Sequence, residues 1–401
     1  MNKAQEYIVQ ILNHSIHNKK IELDTNEDIS WKDILEECKS HNIESLVYYG
    51  INSNTLKTID KEILEYWKKQ TFMSNVYQIN HIKQISNILS IFNDKNIPII
   101  VLKGLVIRDL YPKSELRTMG DADILIHEKD IETVIEILDN LGYKEEDRDT
   151  YHIEFGKGNS HIEVHWSLTN EGMFNEIDEF NNEIWLNAVE VKIGASKALS
   201  MCDEDLLVYL CIHMAKHFIN SGFGIRQVCD VLLLVEQRSK FIDWNRFMIK
   251  AKRSGIDKFT MSIFAICNKL FEMSIPDELE KYKVRDEKNI NLIVDDIFAN
   301  GVHGYRDKMS TKIKQLTYEN NKKKVSYISS FRRLYFPSSD NLCEKYGYAK
   351  KYKLLLPVAW IHRFVNTIFR KDYSVSDKIK LSMQGANISK KHSELLSWLE
   401  L

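Results

Sequence analysis

The run Ile97-Pro98-Ile99-Ile100-Val101-Leu102 places the strongest constraint on how this chain can fold. It is short, continuously apolar and rich in β-branched residues, as expected of a strand buried on both faces of a sheet. The residues before it have helical spacing. Trp31 to Cys38 and Ile43 to Tyr49 repeat apolar positions at that period. Ile63 to Phe92 predicts one long helix, with Tyr66, Phe72, Val76, Ile79, Ile82, Ile85 and Ile88 roughly in phase. After the run, Leu105 to Leu110 predicts a short helix that must stop before Pro112. Asp121 to His127 predicts a second strand, and Lys129 to Leu141 an amphipathic helix ending at Gly142. Tyr151 to Phe155 and His161 to Trp166 predict two more strands, separated by the turn Gly156-Lys157-Gly158-Asn159. Residues 96–167 thus form one compact α/β block in a mostly helical chain. From Asp203, a plausible N-cap, helices are expected over Leu206 to Phe218, Arg226 to Gln237 and Phe259 to Met273, with breaks at Gly222 and Gly224. Only 5 Pro and 15 Gly in 401 residues suit long helices with short links better than a turn-rich sandwich. The fold class expected is α+β, a small mixed sheet flanked by helical regions.

Charge and cysteines limit the function classes. Lys and Arg number 55 against 57 Asp and Glu, so a wholly basic nucleic-acid coat protein is excluded. The distribution is uneven. Residues 306–380 hold 18 basic and 6 acidic side chains, a local net of +12, which leaves −14 on the remainder. This segment contains Lys322-Lys323-Lys324 and Arg332-Arg333, interleaved with Tyr327, Phe331, Tyr335 and Phe336. It has two readings: a solvated helical face with its aromatics in a core, or a patch for a phosphate-rich partner. Six cysteines, at 38, 202, 211, 229, 267 and 343, form no CxxC pair and suit free buried thiols in a reducing cytoplasm. The opening Met1-Asn2-Lys3-Ala4-Gln5-Glu6 shows no secretory signal. Leu354 to Phe369 is too short for a membrane span and contains His362 and Arg363, so a buried helix starting near Pro357 is expected there.

The chemistry concentrates after Leu102. Strand side chains alternate faces, so in Asp121-Ala122-Asp123-Ile124-Leu125-Ile126 the two aspartates share one face while Ala122, Ile124 and Ile126 enter the core. Two carboxylates adjacent on a face repel, and a divalent cation between them removes the conflict; Mg²⁺ (or Mn²⁺) prefers such hard oxygen ligands together with substrate phosphates. On His161-Ile162-Glu163-Val164-His165-Trp166, the apolar face is Ile162, Val164 and Trp166, and Glu163 shares the other with His161 and His165. If the two strands are neighbours, Glu163 completes an acidic triad suited to phosphoryl or nucleotidyl transfer. His165 would then face metal-bound water or substrate. Gly104, at a strand–helix junction, lets backbone approach a phosphate. Lys103 and Arg117 could neutralise phosphate oxygens. Tyr111 and Pro112 shape the loop before Arg117.

These motifs resemble the uncharacterised nucleotidyltransferase family within the DNA polymerase beta-like nucleotidyltransferase superfamily. Val101-Leu102-Lys103-Gly104 stands at the strand–helix junction, Asp121-Ala122-Asp123 at the DxD position 17 residues after the glycine, and Glu163 at the later acidic position. The superfamily serine after the glycine is replaced by Leu105. The resemblance implies metal ligation by Asp121 and Asp123, with Glu163 completing the site and helping to deprotonate an acceptor hydroxyl. It also places Lys216, His217, Arg226 and Asp230 beside the active site as substrate contacts. The alternative for these residues is an internal Arg226–Asp230 pair and a satisfied buried histidine. A zinc site at His213 and His217 lacks an adjacent Glu and a third ligand. The expected organisation is an N-terminal helical region at 1–95, a nucleotidyltransferase-like core at 96–200, a helical domain packed on the active site at 201–300 and a basic helical region at 301–401. The expected activity moves an NMP from an NTP, such as ATP, to an acceptor hydroxyl on a small molecule, a protein or an RNA end, releasing pyrophosphate. A non-catalytic nucleotide- or nucleic-acid-binding protein of the same fold is the alternative.

Overall fold

The computed structural model describes residues 1–24, 29–170, 172–304, 308–322, 342, 346–369 and 375–401. The N-terminal quarter is helical: α1 Lys3–Ile16, α2 Trp31–His41, α3 Glu44–Gly50, the short α4 Ser53–Leu56, and α5 Lys61–Asp94. Asn2, Ser30, Asn52 and Asp60 cap α1, α2, α4 and α5 with side-chain acceptors. At about 1.5 Å per residue α5 is roughly 50 Å long and overruns the sheet it packs on. Its inward stripe is Trp67, Thr71, Gln78, His81, Ile85, Ile88, Leu89 and Phe92. The apolar phase expected from the sequence therefore holds only in its C-terminal half. Tyr66, Phe72, Val76 and Ile79 face outward, Phe72 being 68% exposed, because in the overrunning half the inward positions fall to Trp67, Thr71 and Gln78 instead.

Seven strands form one mixed sheet in the order β3-β4-β5-β2-β1-β7-β6. They are β1 Ile100–Val101, β2 Asp121–Leu125, β3 Lys144–Arg148, β4 His152–Lys157, β5 Ser160–His165, β6 Val189–Ile193 and β7 Ser196–Ser200. Between them lie α6 Gly104–Ile107, α7 Ile131–Asn140 and α8 Ile177–Leu186. β1 is shorter than the apolar run because Pro98 has no N–H to donate and Lys103 turns the chain out at φ +42°. Its ladder is continued at the ends by Leu199 N–H to Ile99 O at 2.9 Å and Leu102 N–H to Asp123 O at 3.0 Å. β4 and β5 are joined by the two-residue loop Gly158-Asn159, with Gly158 at φ +60°. The edge strand β3, Lys-Glu-Glu-Asp-Arg, is exposed along its whole length and has no apolar alternation to betray it. The hairpin β6–β7 turns at Gly194, φ +59°, and seats β7 parallel to β1.

The remaining helices are α9 Asp203–Asn220, α10 Ile225–Arg238, α11 Trp244–Arg253, α12 Asp257–Phe271, α13 Glu287–Asn300, α14 Lys308–Lys322, α15 Gly347–Lys351, α16 Leu356–Phe369 and α17 Val375–Leu399. The N-cap of α9 is Cys202 rather than Asp203, which instead joins Glu204 and Asp205 in an acidic first turn. The two faces of the sheet pack into different cores. Val101, Ala122, Ile124, Ile162 and Val164 meet Ile85, Leu89, Phe92, Val134 and Leu138 on one side. Ile100, Leu102 and Leu125 face the larger core, which runs from Tyr7 in α1 through α9, α10 and α12 to Leu399 in α17. The alternation expected for β2 and β5 thus places their polar side chains toward the helical half of the molecule.

Leu354 to Phe369 is helical from Leu356, yet Leu354 is 95% exposed and Val358 and Ile361 are exposed too, so the described part does not form the buried helix expected. No helix among the described residues is long and apolar enough to cross a membrane. Much of the basic 306–380 segment, including Lys323, Lys324, Arg332, Arg333, Tyr327, Phe331, Tyr335 and Phe336, lies outside the described residues. Within it, Lys314 is buried, paired with Asp296 at 2.7 Å.

Phe92, fully buried between α5 and the sheet, is expected to cost about 3–5 kcal/mol when replaced by Ala. A lowered urea midpoint at constant m would record this loss. His392 is buried on α17 with Nε2 against the Ile219 carbonyl at 3.2 Å. Burial, then Lys314, lowers its pKa to about 4. The unfolded ring titrates near 6.5, so as pH falls the unfolded chain takes up the proton first. Stability should be complete above about pH 6.5 and fall by up to about 3 kcal/mol toward pH 4. In His392→Gln this part of the stability–pH profile should flatten.

Candidate active site

Parallel pairing of β2 with β5 sets Asp121 opposite His161, Asp123 opposite Glu163 and Leu125 opposite His165. The His165 ring closes the gap between the two carboxylates: Nε2 lies 3.1 Å from Asp123 Oδ1 and 3.2 Å from Glu163 Oε2. Lys103 Nζ donates to the same Asp123 oxygen at 2.7 Å. Lys103 is held at φ +42°, ψ −113°, a conformation that a residue with a Cβ adopts only under strain. Burial opposes the charge on Asp123, but Lys103 and His165 outweigh it and hold the carboxyl well below the usual range. Burial would likewise discharge Lys103, and Asp123 chiefly prevents it, keeping the ammonium above the ordinary lysine range. Glu163, pushed up by burial and then by Asp123, is the more basic carboxylate. Burial disfavours the charged His165 ring, while its hydrogen bonds to Asp123 and Glu163 prevail and raise its pKa.

A second polar cluster joins the loop before β2 to α10. Arg117 Nε and Nη2 donate to Asp230 Oδ1 and Oδ2 at 2.9 and 2.7 Å, and the Tyr111 hydroxyl adds a 2.7 Å bond to Oδ1. All three side chains are buried. Such a fork-to-fork pair is geometrically specific. It takes Asp230 away from Arg226, so the i,i+4 pair that the sequence permitted does not form. Arg226 Nη1 donates instead to the Thr118 carbonyl, with the Thr118 hydroxyl at 3.3 Å. Gly104 sits beneath this cluster: a Cβ there would run into the Arg117 guanidinium and the Met119 side chain. The close approach that requires a glycine is thus made by the protein's own side chains.

Across the cleft, α9 presents Lys216, whose ammonium donates to the Tyr151 hydroxyl. Burial, then repulsion from Lys103, lowers Lys216 to about 8. His213 and His217 share a 2.9 Å contact between their Nε2 atoms. A cleft of about 300 Å³ is lined by all eleven candidate catalytic, nucleotide- and substrate-binding residues named from the sequence: Lys103, Gly104, Arg117, Asp121, Asp123, Glu163, His165, Lys216, His217, Arg226 and Asp230. Its size is at the lower end of small-ligand sites. Tyr151, His152, Glu154 and Tyr209 also line it and were not foreseen. The hairpin held the signal for two of them. A two-residue loop pairs Lys157 with Ser160, so Glu154 must face Glu163 and His152 must face His165.

The donor set suits a divalent cation. One oxygen each from Asp123 and Glu163 and one ring nitrogen of His165 lie within 4.8 Å of one another. Asp121 is outside this tight group but lines the same cleft. Among the described residues no comparable group includes His213 or His217. Carboxylate oxygens suit Mg²⁺ and Mn²⁺, and an imidazole is compatible with the latter's softer neighbours in the series.

The family model described as uncharacterised nucleotidyltransferase matches residues 27–272, and the chain belongs to this family. The match takes in α2 to α5, which the local motifs did not reach. No curated protein matches the chain significantly. Among solved structures, it is similar to the antibiotic-resistance factor ANT(2'')-Ia in solution, at 11% identity and TM-score 0.34, over 49% of this chain and 100% of that one. It is also similar to the lincosamide antibiotic adenylyltransferase LnuA with lincomycin bound, at 18% identity and TM-score 0.29, over 38% and 94%. A third is an antigenic nucleotidyltransferase-like protein from Paracoccidioides brasiliensis, at 10% identity and TM-score 0.33, over 51% and 97%.

Removing one member of the buried Arg117–Asp230 pair strands the other charge. Asp230→Ala is expected to lower the unfolding free energy by about 3–5 kcal/mol, measured by chemical denaturation.

Proposed function

We propose that this nucleotidyltransferase transfers an NMP from an NTP to an acceptor hydroxyl, with Asp121, Asp123 and Glu163 holding Mg²⁺ or Mn²⁺. The observation that carries this reading is the register of β2 and β5. It sets Glu163 beside Asp123 on the cleft face, as an acidic triad requires, in a chain of this family. When bound, the cation supplies charge neutralisation at phosphate oxygens and acidifies a coordinated hydroxyl.

The protein's own groups account for the rest. Glu163, with its raised pKa, accepts the proton of the acceptor hydroxyl. The acceptor oxygen forms a bond to the α-phosphorus as the bond to the bridging oxygen breaks, and pyrophosphate leaves with that oxygen. His165, bonded to both Asp123 and Glu163, orients the two carboxylates. Lys103 balances the charge of Asp123 before substrate binds and offers its ammonium to phosphate afterward. Arg117 acts through Asp230 by holding the loop that leads into β2. The acceptor side is formed by Tyr151, His152, Glu154, Lys216 and His217. The five described cysteines are free, which suits the cytoplasmic setting we propose.

The test is to incubate the protein with each labelled NTP, Mg²⁺ or Mn²⁺ and a cell lysate. The destination of the label is then followed to protein, RNA or small molecule. Asp121→Asn and Asp123→Asn should each lower transfer about 100-fold, equivalent to about 3 kcal/mol of transition-state stabilisation. Full activity in either variant would remove that residue from the metal site. Nucleotide binding without transfer or pyrophosphate release would make the chain a binding protein.

A further inference from the structure

Along its outward side, α5 carries a row of six exposed side chains: Glu65, Lys69, Phe72, Val76, Ile79 and Lys83. The three apolar ones, at the centre, are 68%, 41% and 55% exposed. The six follow one another at intervals of 4, 3, 4, 3 and 4 residues. This is the heptad period of a coiled-coil seam, and it runs for roughly 27 Å along the helix. A stripe this narrow is not the broader face that a helix turns toward a globular core. The core-facing side of α5 is a different one, held by buried Trp67, Gln78, His81 and Ile85. There Tyr77 and Gln78 donate to the carbonyls of Gly120 and Met119 at 3.2 and 2.9 Å, which pins the helix and keeps the outward row in place. Tyr66 is already covered by the Lys39 ammonium, 4.3 Å from its ring centroid, and stands apart from the row.

We infer that this seam docks a second copy of the chain, the two α5 helices pairing antiparallel about a two-fold axis at the level of Ser74. The row is acidic at one end, Glu65, and basic at the other, Lys83, with Phe72 and Val76 between them. Reversed upon itself, it becomes complementary to itself. Phe72 packs on Val76 of the second copy, Lys69 lays its methylene stem on Ile79, and Glu65 meets Lys83. The two-fold axis makes each of these contacts twice. A parallel pair would instead set Glu65 against Glu65, Lys69 against Lys69 and Lys83 against Lys83, and like charges brought together are penalised. The charge order therefore selects both the partner and its direction. One helix from each copy buries less than the roughly 1,600 Å² of a standard interface, so the dimer is reversible. None of the six side chains lines the cleft, so the pairing is independent of the reaction assigned to it.

Sedimentation velocity of the full-length protein, from micromolar to sub-millimolar concentration, tests this directly. The mass should rise from 47.1 kDa toward twice that value. Phe72→Asp should weaken the association more than about 10-fold, as loss of a central aromatic anchor does. Thermal melting of the dilute protein checks that the variant is folded, and Ile79→Asp takes its place if it is not. Glu65→Lys and Lys83→Glu should each weaken the dimer about 3- to 10-fold, since every dimer contains two such exposed pairs. The double variant Glu65→Lys/Lys83→Glu should regain the wild-type affinity, because the reversed charges again meet as opposites. A wild type that stays monomeric throughout, or a dimer that the folded Asp variant does not weaken, overturns the inference. Association that Phe72→Asp breaks but the double charge reversal does not restore overturns the antiparallel pairing. A monomeric wild type that floats with phosphatidylcholine vesicles, and loses this with Phe72→Asp, would assign the seam to a lipid surface and exclude the second copy.

Discussion

Asp123 and Glu163 lie side by side because β2 and β5 pair in parallel register, and much of the site follows from this one constraint. Two neighbouring carboxylates in a half-closed cleft are unfavourable unless positive charge lies between or beside them. The protein supplies it from two directions. His165 comes from the next position on the same face of β5, and Lys103 from a strained turn at the end of β1. The strain at Lys103 costs free energy of order 1–3 kcal/mol. In return the ammonium is aimed at Asp123 from the point where the chain leaves β1.

The helical half of the molecule is coupled to this centre by a second buried charge pair. Arg117 belongs to the loop that feeds β2, Asp230 to α10, and Tyr111 ties the same carboxylate to the preceding turn. A buried salt bridge of this kind adds little net stability compared with an apolar replacement, but it penalises any other placement of its partners. It therefore fixes where α10 sits relative to the DxD strand. Arg226, displaced from Asp230, is left pointing at the loop and the cleft.

The strands β2, β4 and β5 were legible because alternation and a two-residue turn are local signals. The helices α5, α7, α9, α10 and α12 were legible in outline for the same reason. Other elements were not. β3 is an edge strand made only of charged residues, so nothing apolar marks it. β6 and β7 do alternate around Gly194, yet their place beside β1 depends on a partner about a hundred residues earlier. The outward apolar residues on the first half of α5 show the converse case. Helical phase alone does not say which side a helix will turn toward its neighbour, nor where that neighbour ends.

All eleven candidate site residues line one cleft; strand period and residue chemistry pointed to seven of them in the sequence, and the family resemblance supplied Lys216, His217, Arg226 and Asp230. The sequence also determined which of them share a strand face, since side chains two apart on a strand must point the same way. Only the tertiary structure decided their partners. Asp230 pairs with Arg117, 113 positions away, rather than with Arg226 one turn away, and His165 rather than Asp121 completes the tight group with Asp123 and Glu163. Local periodicity sets the direction of a side chain; which opposite charge meets it depends on how distant segments pack, and a pattern confined to neighbours along the chain does not encode that.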